Sequence, residues 1–128
     1  MKLLVEISVG ELIDKIAILE IKLDNIRDEA KRANVAREYA VLTEALRRDL
    51  APDPALTDLR RRLRGVNAEL WRIEDEIRAH EREGKFDAGF VALARSVYRA
   101  NDLRAELKRQ INLLTHSEIV EEKSYTAY

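Results

Sequence analysis

Between Leu56 and Ile77 the apolar residues fall at Leu56, Leu59, Leu63, Val66, Leu70, Ile73 and Ile77, in steps of three and four without a fault. Only an α-helix gathers that spacing onto one face, and a strict 3-4 alternation is the seam along which two helices lie nearly side by side. The stretch also has clear ends. A residue before proline is pushed out of the α region, so in Ala51-Pro52-Asp53-Pro54 the Asp53-Pro54 pair reads as an N-cap followed by the first helical position. Gly84 can take the left-handed turn that ends a helix. The spacing predicts one helix over 54–83, a rod of roughly 45 Å.

Such a rod needs partners, and the chain supplies three. Asp87 caps a helix over 88–114 whose apolar face uses Phe90, Leu93, Val97, Ala100, Leu103, Leu107, Ile111 and Leu114. The link from Gly84 to Asp87 is so short that these two helices must form an antiparallel hairpin. Upstream, Ser8-Val9-Gly10-Glu11 has the capping-box pattern, in which the serine oxygen accepts from the Glu11 backbone and the glutamate reaches back to the serine N–H. From there Val9, Leu12, Ile16, Leu19, Leu23 and Ile26 carry a seam through a helix over about 9–27. Ile13 widens it, while Ile18 and Ile21 lie well away from it, so this helix needs neighbours on two flanks. Asp28 caps a stretch over 29–50 with a narrower face of Val35, Tyr39, Leu42 and Leu46. The reading is all-α, a single domain over 1–128: an antiparallel helical bundle built on a long helical hairpin. A short extended N-terminus precedes it, and a tail over 116–128 docks through Ile119, Val120, Tyr125 and Tyr128.

Charge and composition narrow the function. Lys plus Arg number 23 against 24 Asp plus Glu, a net charge of −1, so the positive excess of a nucleic-acid or anionic-membrane binder is missing. Arg60, Arg61, Arg62 and Arg64 cluster, but beside Asp58 and without aromatics for base stacking, and they read as a solvated helix face. No apolar run approaches the ~20 residues that cross a bilayer, MKLLVEIS is too short for a signal peptide, and there is no cysteine. The expectation is a cytoplasmic protein. His80 and His116 lack ligand spacing, so no metal or cofactor is expected. No nucleophile elbow, Walker lysine or dinucleotide loop occurs, so no catalytic residue is nominated and the enzyme reading is the weaker one.

The candidate site is a row of polar side chains along the edge of the seams. Asn67, Trp71, Glu74 and Arg78 lie there on the third helix, and Tyr98, Asn101, Arg104 and Lys108 on or beside the face of the fourth. Arg104 and Lys108 are one turn apart and repel one another. Glu74 or Asp75 across the hairpin, Asp14 or Glu20 of the first helix, Glu121 or Glu122 of the tail, or a bound anion could offset them. Two readings stay open. The row is an internal ion-pair network that fixes register, or Trp71, Glu74, Arg78, Tyr98, Asn101, Arg104 and Lys108 line a pocket for a small anion or nucleotide sugar. Trp71 is expected at a seam, mostly buried, with its indole N–H paired and the tail covering it. The matching functional classes are a non-catalytic homodimeric scaffold, with Ile18 and Ile21 as its contact, and a small-ligand protein.

Three stretches carry a resemblance: ISVGELIDKIAILEIK at Ile7–Lys22, LWRIEDEIR at Leu70–Arg78, and VYRANDLRAELKRQIN with the closing EEKSY. Together they resemble an uncharacterised family of small bacterial all-helical proteins over nearly the whole chain. The resemblance implies that the edge row and the tail belong to the family's pattern, and it implies no activity. The opening Glu11-Leu12-Ile13-Asp14-Lys15-Ile16 is also similar to that of small all-helical chorismate mutases. The likeness stops there: no arginine precedes Arg27 in the first helix, and the later motifs do not line up. On the helix assignments, circular dichroism should report more than half of the residues as helical.

Overall fold

Every helix in this chain starts at a side chain that takes over an orphan backbone N–H. The computed structural model describes residues 1–128, with helices α1 (Val9–Asn25), α2 (Glu29–Asp49), α3 (Pro54–Glu83) and α4 (Ala88–Leu114), and 74% of the chain is helical. Ser8, Asp28, Asp53 and Asp87 accept from the amides of Glu11, Lys31, Ala55 and Phe90, each such cap being worth about 1 kcal/mol. The capping box at Ser8 is only half formed. Glu11 does not reach back to the serine amide, because its carboxylate is drawn to the Lys108 ammonium at 2.5 Å.

The helix ends are equally local. Gly84 sits at φ 66°, and the Gly84 and Lys85 amides donate to the Glu81 and His80 carbonyls at 3.1 and 2.9 Å, the paired bonds of a left-handed helix terminator. His116, at φ 53°, does the same for α4, with the Ser117 amide donating to the Asn112 carbonyl at 2.9 Å. Arg32 of α2 places its guanidinium on the Leu23 and Ile26 carbonyls, where a cation also suits the helix dipole. That contact folds α2 back along α1.

Helix α1 is the centre of the bundle. It packs against α2 on one flank and against both arms of the α3–α4 hairpin on the other, which is why it is apolar on two sides. Ile13 and Ile16 of α1, Leu46 of α2, Leu56, Leu59 and Leu63 of α3, and Leu107 and Ile111 of α4 form one buried cluster. Each such side chain contributes about 1.5 to 3 kcal/mol by leaving water. The two flanks leave little of α1 for a second chain. Ile21 is 5% exposed and Ile18 half-buried, so neither offers the open surface expected of a dimer contact. The tip of the hairpin is thinly packed: Ile77 and Phe90 are half-buried, and Phe86 meets Phe90 edge-on at 5.2 Å in the open.

The fourth helix is rotated from the orientation its apolar spacing suggests. Leu103 and Leu114, expected on the buried face, are exposed, whereas Leu107, Ile111 and Asn112 are buried. Gly10 sets this rotation. A Cβ there would stand 2.6 Å from the Lys108 carbonyl oxygen and 2.9 Å from Asn112 Oδ1, so only glycine lets the α1 backbone press onto the stripe Arg104–Lys108–Asn112. Gly65, midway along α3, has nothing within 4 Å of an added Cβ. Thermal or urea denaturation should therefore separate two identical substitutions. Gly10→Ala is expected to cost about 1 to 3 kcal/mol through overpacking, and Gly65→Ala to be neutral or to stabilise α3 by up to ~1 kcal/mol.

Candidate functional site

The close approach at Gly10 brings two lines of polar side chains face to face. Helix α1 presents Glu11 and Asp14, three residues apart, and α4 presents Arg104, Lys108 and Asn112 at successive turns. Asp14 is the deepest member, its side chain 1% exposed. Arg104 grips it with two donors, Nε to Oδ1 at 2.9 Å and Nη2 to Oδ2 at 2.5 Å. Asn67 of α3 donates to Oδ1 at 2.9 Å, and the Lys108 ammonium stands 3.9 Å from Oδ2. One carboxylate thus joins three helices.

The ladder continues toward the chain termini. Lys108 donates to Glu11 at 2.5 Å. The Asn112 side-chain carbonyl accepts from the Gly10 amide at 2.7 Å, and its NH2 donates to Glu121 at 3.3 Å. Glu121 also accepts from the Ser8 hydroxyl at 2.5 Å, while the Ser117 hydroxyl accepts from the Val9 amide at 3.1 Å. No buried side-chain nitrogen or oxygen lacks a partner. Burial alone would raise the Asp14 pKa. The hydrogen bonds from Arg104 and Asn67 and the charges of Arg104 and Lys108 outweigh it and hold the carboxyl below its ordinary value.

The expected site residues are divided by this geometry. Tyr98, Asn101, Arg104 and Lys108 do line one cavity, between α4 and the tail. Trp71 lines a different one, a groove of about 830 Å³ between α1 and α3 shared with Ala17, Ile21 and Gly65. Glu74 and Arg78 pair with each other at 3.2 Å on the exposed side of α3 and join neither. Trp71 is half-buried, and its indole N–H makes no bond to the protein and reaches solvent. The tail does not cover it. It runs back along α4, with Glu122 beside Arg109, Lys123 and the Tyr128 hydroxyl on Asp102, and the Tyr128 ring edge-on to Tyr98. The tail docks, but through these polar contacts: Tyr125 and Tyr128 remain 81% and 77% exposed. Trp71→Ala should accordingly cost less than a packed tryptophan would.

Sequence reasoning named Asp14 and Glu121 among the possible counter-charges, and passed over Gly10, Glu11, Ser117 and Asn112. The signal that finds them is the pairing of two acids at i, i+3 on α1 with two cations at i, i+4 on α4. No helix is long and apolar enough to cross a membrane. Over residues 1–128 the chain matches the family of unknown function DUF6165, and it belongs to that family. No curated protein and no solved structure matches it.

The ladder makes an asymmetric stability prediction. Arg104→Ala strands a fully buried carboxylate and should cost about 3 to 5 kcal/mol. Asp14→Ala should cost less, because the Arg104 side chain is 30% exposed and can rehydrate. A carboxyl with a depressed folded pKa contributes stability that is complete above its unfolded value and lost as pH falls through the folded one. Wild-type stability should therefore drop below about pH 4, and Asp14→Asn, less stable at neutral pH, should show the shallower acid limb in denaturant titrations.

Proposed function

We propose that this chain is a non-catalytic interaction protein that works as a homodimer. The observation that carries the reading is its surface. The chain exposes 9183 Å², whereas a compact monomer of its 14.8 kDa exposes about 7,000 Å². The excess, roughly 2,000 Å², exceeds the ~800 Å² per partner that a stable interface takes. Part of the exposed surface is apolar: Leu3, Leu4 and Val5 near one terminus are more than half exposed, as are Val91 and Phe86 at the hairpin tip and Leu113 at the far end of α4. Isolated exposed leucines are ordinary, but grouped ones mark contact surfaces.

The small-anion reading has a cavity in its favour, the space between α4 and the tail. Against it, the two cations that would hold the ligand already carry carboxylates, Arg104 on Asp14 and Lys108 on Glu11. An anion would have to displace one of them. Light scattering should give a mass twice that of the chain at micromolar concentration, and a monomer throughout would remove the dimer reading. In a thermal-shift screen, phosphate, dicarboxylates and nucleotide sugars should leave the melting temperature unchanged. A ligand at 100 times its dissociation constant would add about 2.7 kcal/mol, and such a shift would favour the pocket.

A further inference from the structure

Residues 1–7 lie outside every helix and turn of the chain, and all seven are exposed. None of them enters a backbone–backbone hydrogen bond within the chain. Lys2 and Glu6 also lie outside the chain's own ion pairs, which begin at Glu11 and Lys15. A run of free N–H and C=O groups on an extended apolar segment is a template for strand pairing. The order of side chains says what pairs with it. In an extended segment alternate residues share a face, so Met1, Leu3, Val5 and Ile7 form a wholly apolar side, and Lys2, Leu4 and Glu6 the other.

We propose that this arm pairs antiparallel with the same arm of a second copy, about a two-fold axis at Leu4. The proposal rests on the homodimer reading and names its contact. In that register Lys2 stands opposite Glu6 of the second copy, twice, Leu3 opposite Val5, and Leu4 opposite Leu4. Both charges find an opposite partner and every apolar residue meets another, which is the arrangement that stabilises cross-strand pairs. Shifting the register by one residue puts the apolar side against the polar one. Antiparallel self-pairing is two-fold by construction, so the contact closes as a dimer and does not propagate.

A two-stranded ribbon is marginal alone, and its apolar side needs a floor. The arm springs from a place that has one. The Val9 amide is held by the Ser117 hydroxyl, which donates to the Ile119 carbonyl at 2.8 Å. Leu113, Leu114, Ile119 and Val120 are all exposed at that end of the bundle. The ribbon lies over this patch in each copy.

The test is a charge swap read by sedimentation equilibrium on the full chain. Lys2→Glu alone and Glu6→Lys alone each set like charges opposite one another at two places and should weaken the dimer about tenfold. The double variant K2E/E6K restores opposite pairs and should return to within about twofold of wild type. Mixing the two single variants should give a heterodimer tighter than either homodimer. The arm lies outside all four helices, so circular dichroism should not change. A dimer indifferent to the single swaps, or weakened by them without rescue in the double variant or the mixture, overturns the arm pairing and leaves the homodimer reading standing. A monomer at every concentration overturns both.

Discussion

The buried carboxylate of Asp14 is the constraint on which the arrangement of helices depends. Taking an ion out of water costs several kcal/mol even after relaxation, and only near-complete pairing offsets that. Here two donors from Arg104, one from Asn67 and the nearby Lys108 ammonium supply the pairing. An apolar seam of leucines and isoleucines is forgiving, because one turn of slippage exchanges one branched side chain for another. A carboxylate that must meet a guanidinium and an amide at once permits one register. The apolar cluster therefore supplies most of the cohesion, and Asp14 decides which of several similar packings is adopted.

The same pairing shapes what the molecule can offer other molecules. Arg104 and Lys108 are the cations nearest the core, and both are spent on α1. Much of the surface charge is matched along a helix, such as Arg72 between Glu69 and Glu76, and beside it lie apolar side chains left uncovered. Membership of a family of unknown function adds no chemistry to that picture, and the arrangement of side chains nominates no nucleophile.

Much of the architecture was legible in the residues, because its determinants are local. Asp53-Pro54, Gly84 and Asp87 mark the ends of α3 and the start of α4 where the structure has them, and the 3-4 repeat of α3 predicts its buried leucines. The rotation of α4 was not legible. Apolar periodicity places Leu103 inward, but the facing stripe is chosen by how near α1 can approach, and that depends on a hydrogen atom at Gly10 ninety-odd residues earlier. For the same reason the site was half seen. Two neighbouring cations announce a need for acids, whereas the choice of Asp14 and Glu11 over Glu74 and Asp75 is a fact of tertiary geometry. Trp71 misled in the opposite direction. Its size suggested a covered seam, yet the tail follows the ion pairs offered by Asp102 and Arg109 to the other flank.

The ladder also has a bearing on biosynthesis. The partners of α1 are remote in the chain: Asp14 and Arg104 are 90 positions apart, and Ser8 and Glu121 are 113 apart. A nascent chain emerging from the ribosome releases α1 long before α4 exists. Until then the helix can shelter only against α2 and the α3 arm, with Asp14 and Glu11 lacking their cations and the flank that α4 covers left bare. The native state is thus withheld until synthesis has passed Arg104, and the tail, joining Glu121 to Ser8, closes it last. A product that stops short of α4 keeps a helix with an open hydrophobic side, the feature by which chaperones and proteases recognise unfinished proteins.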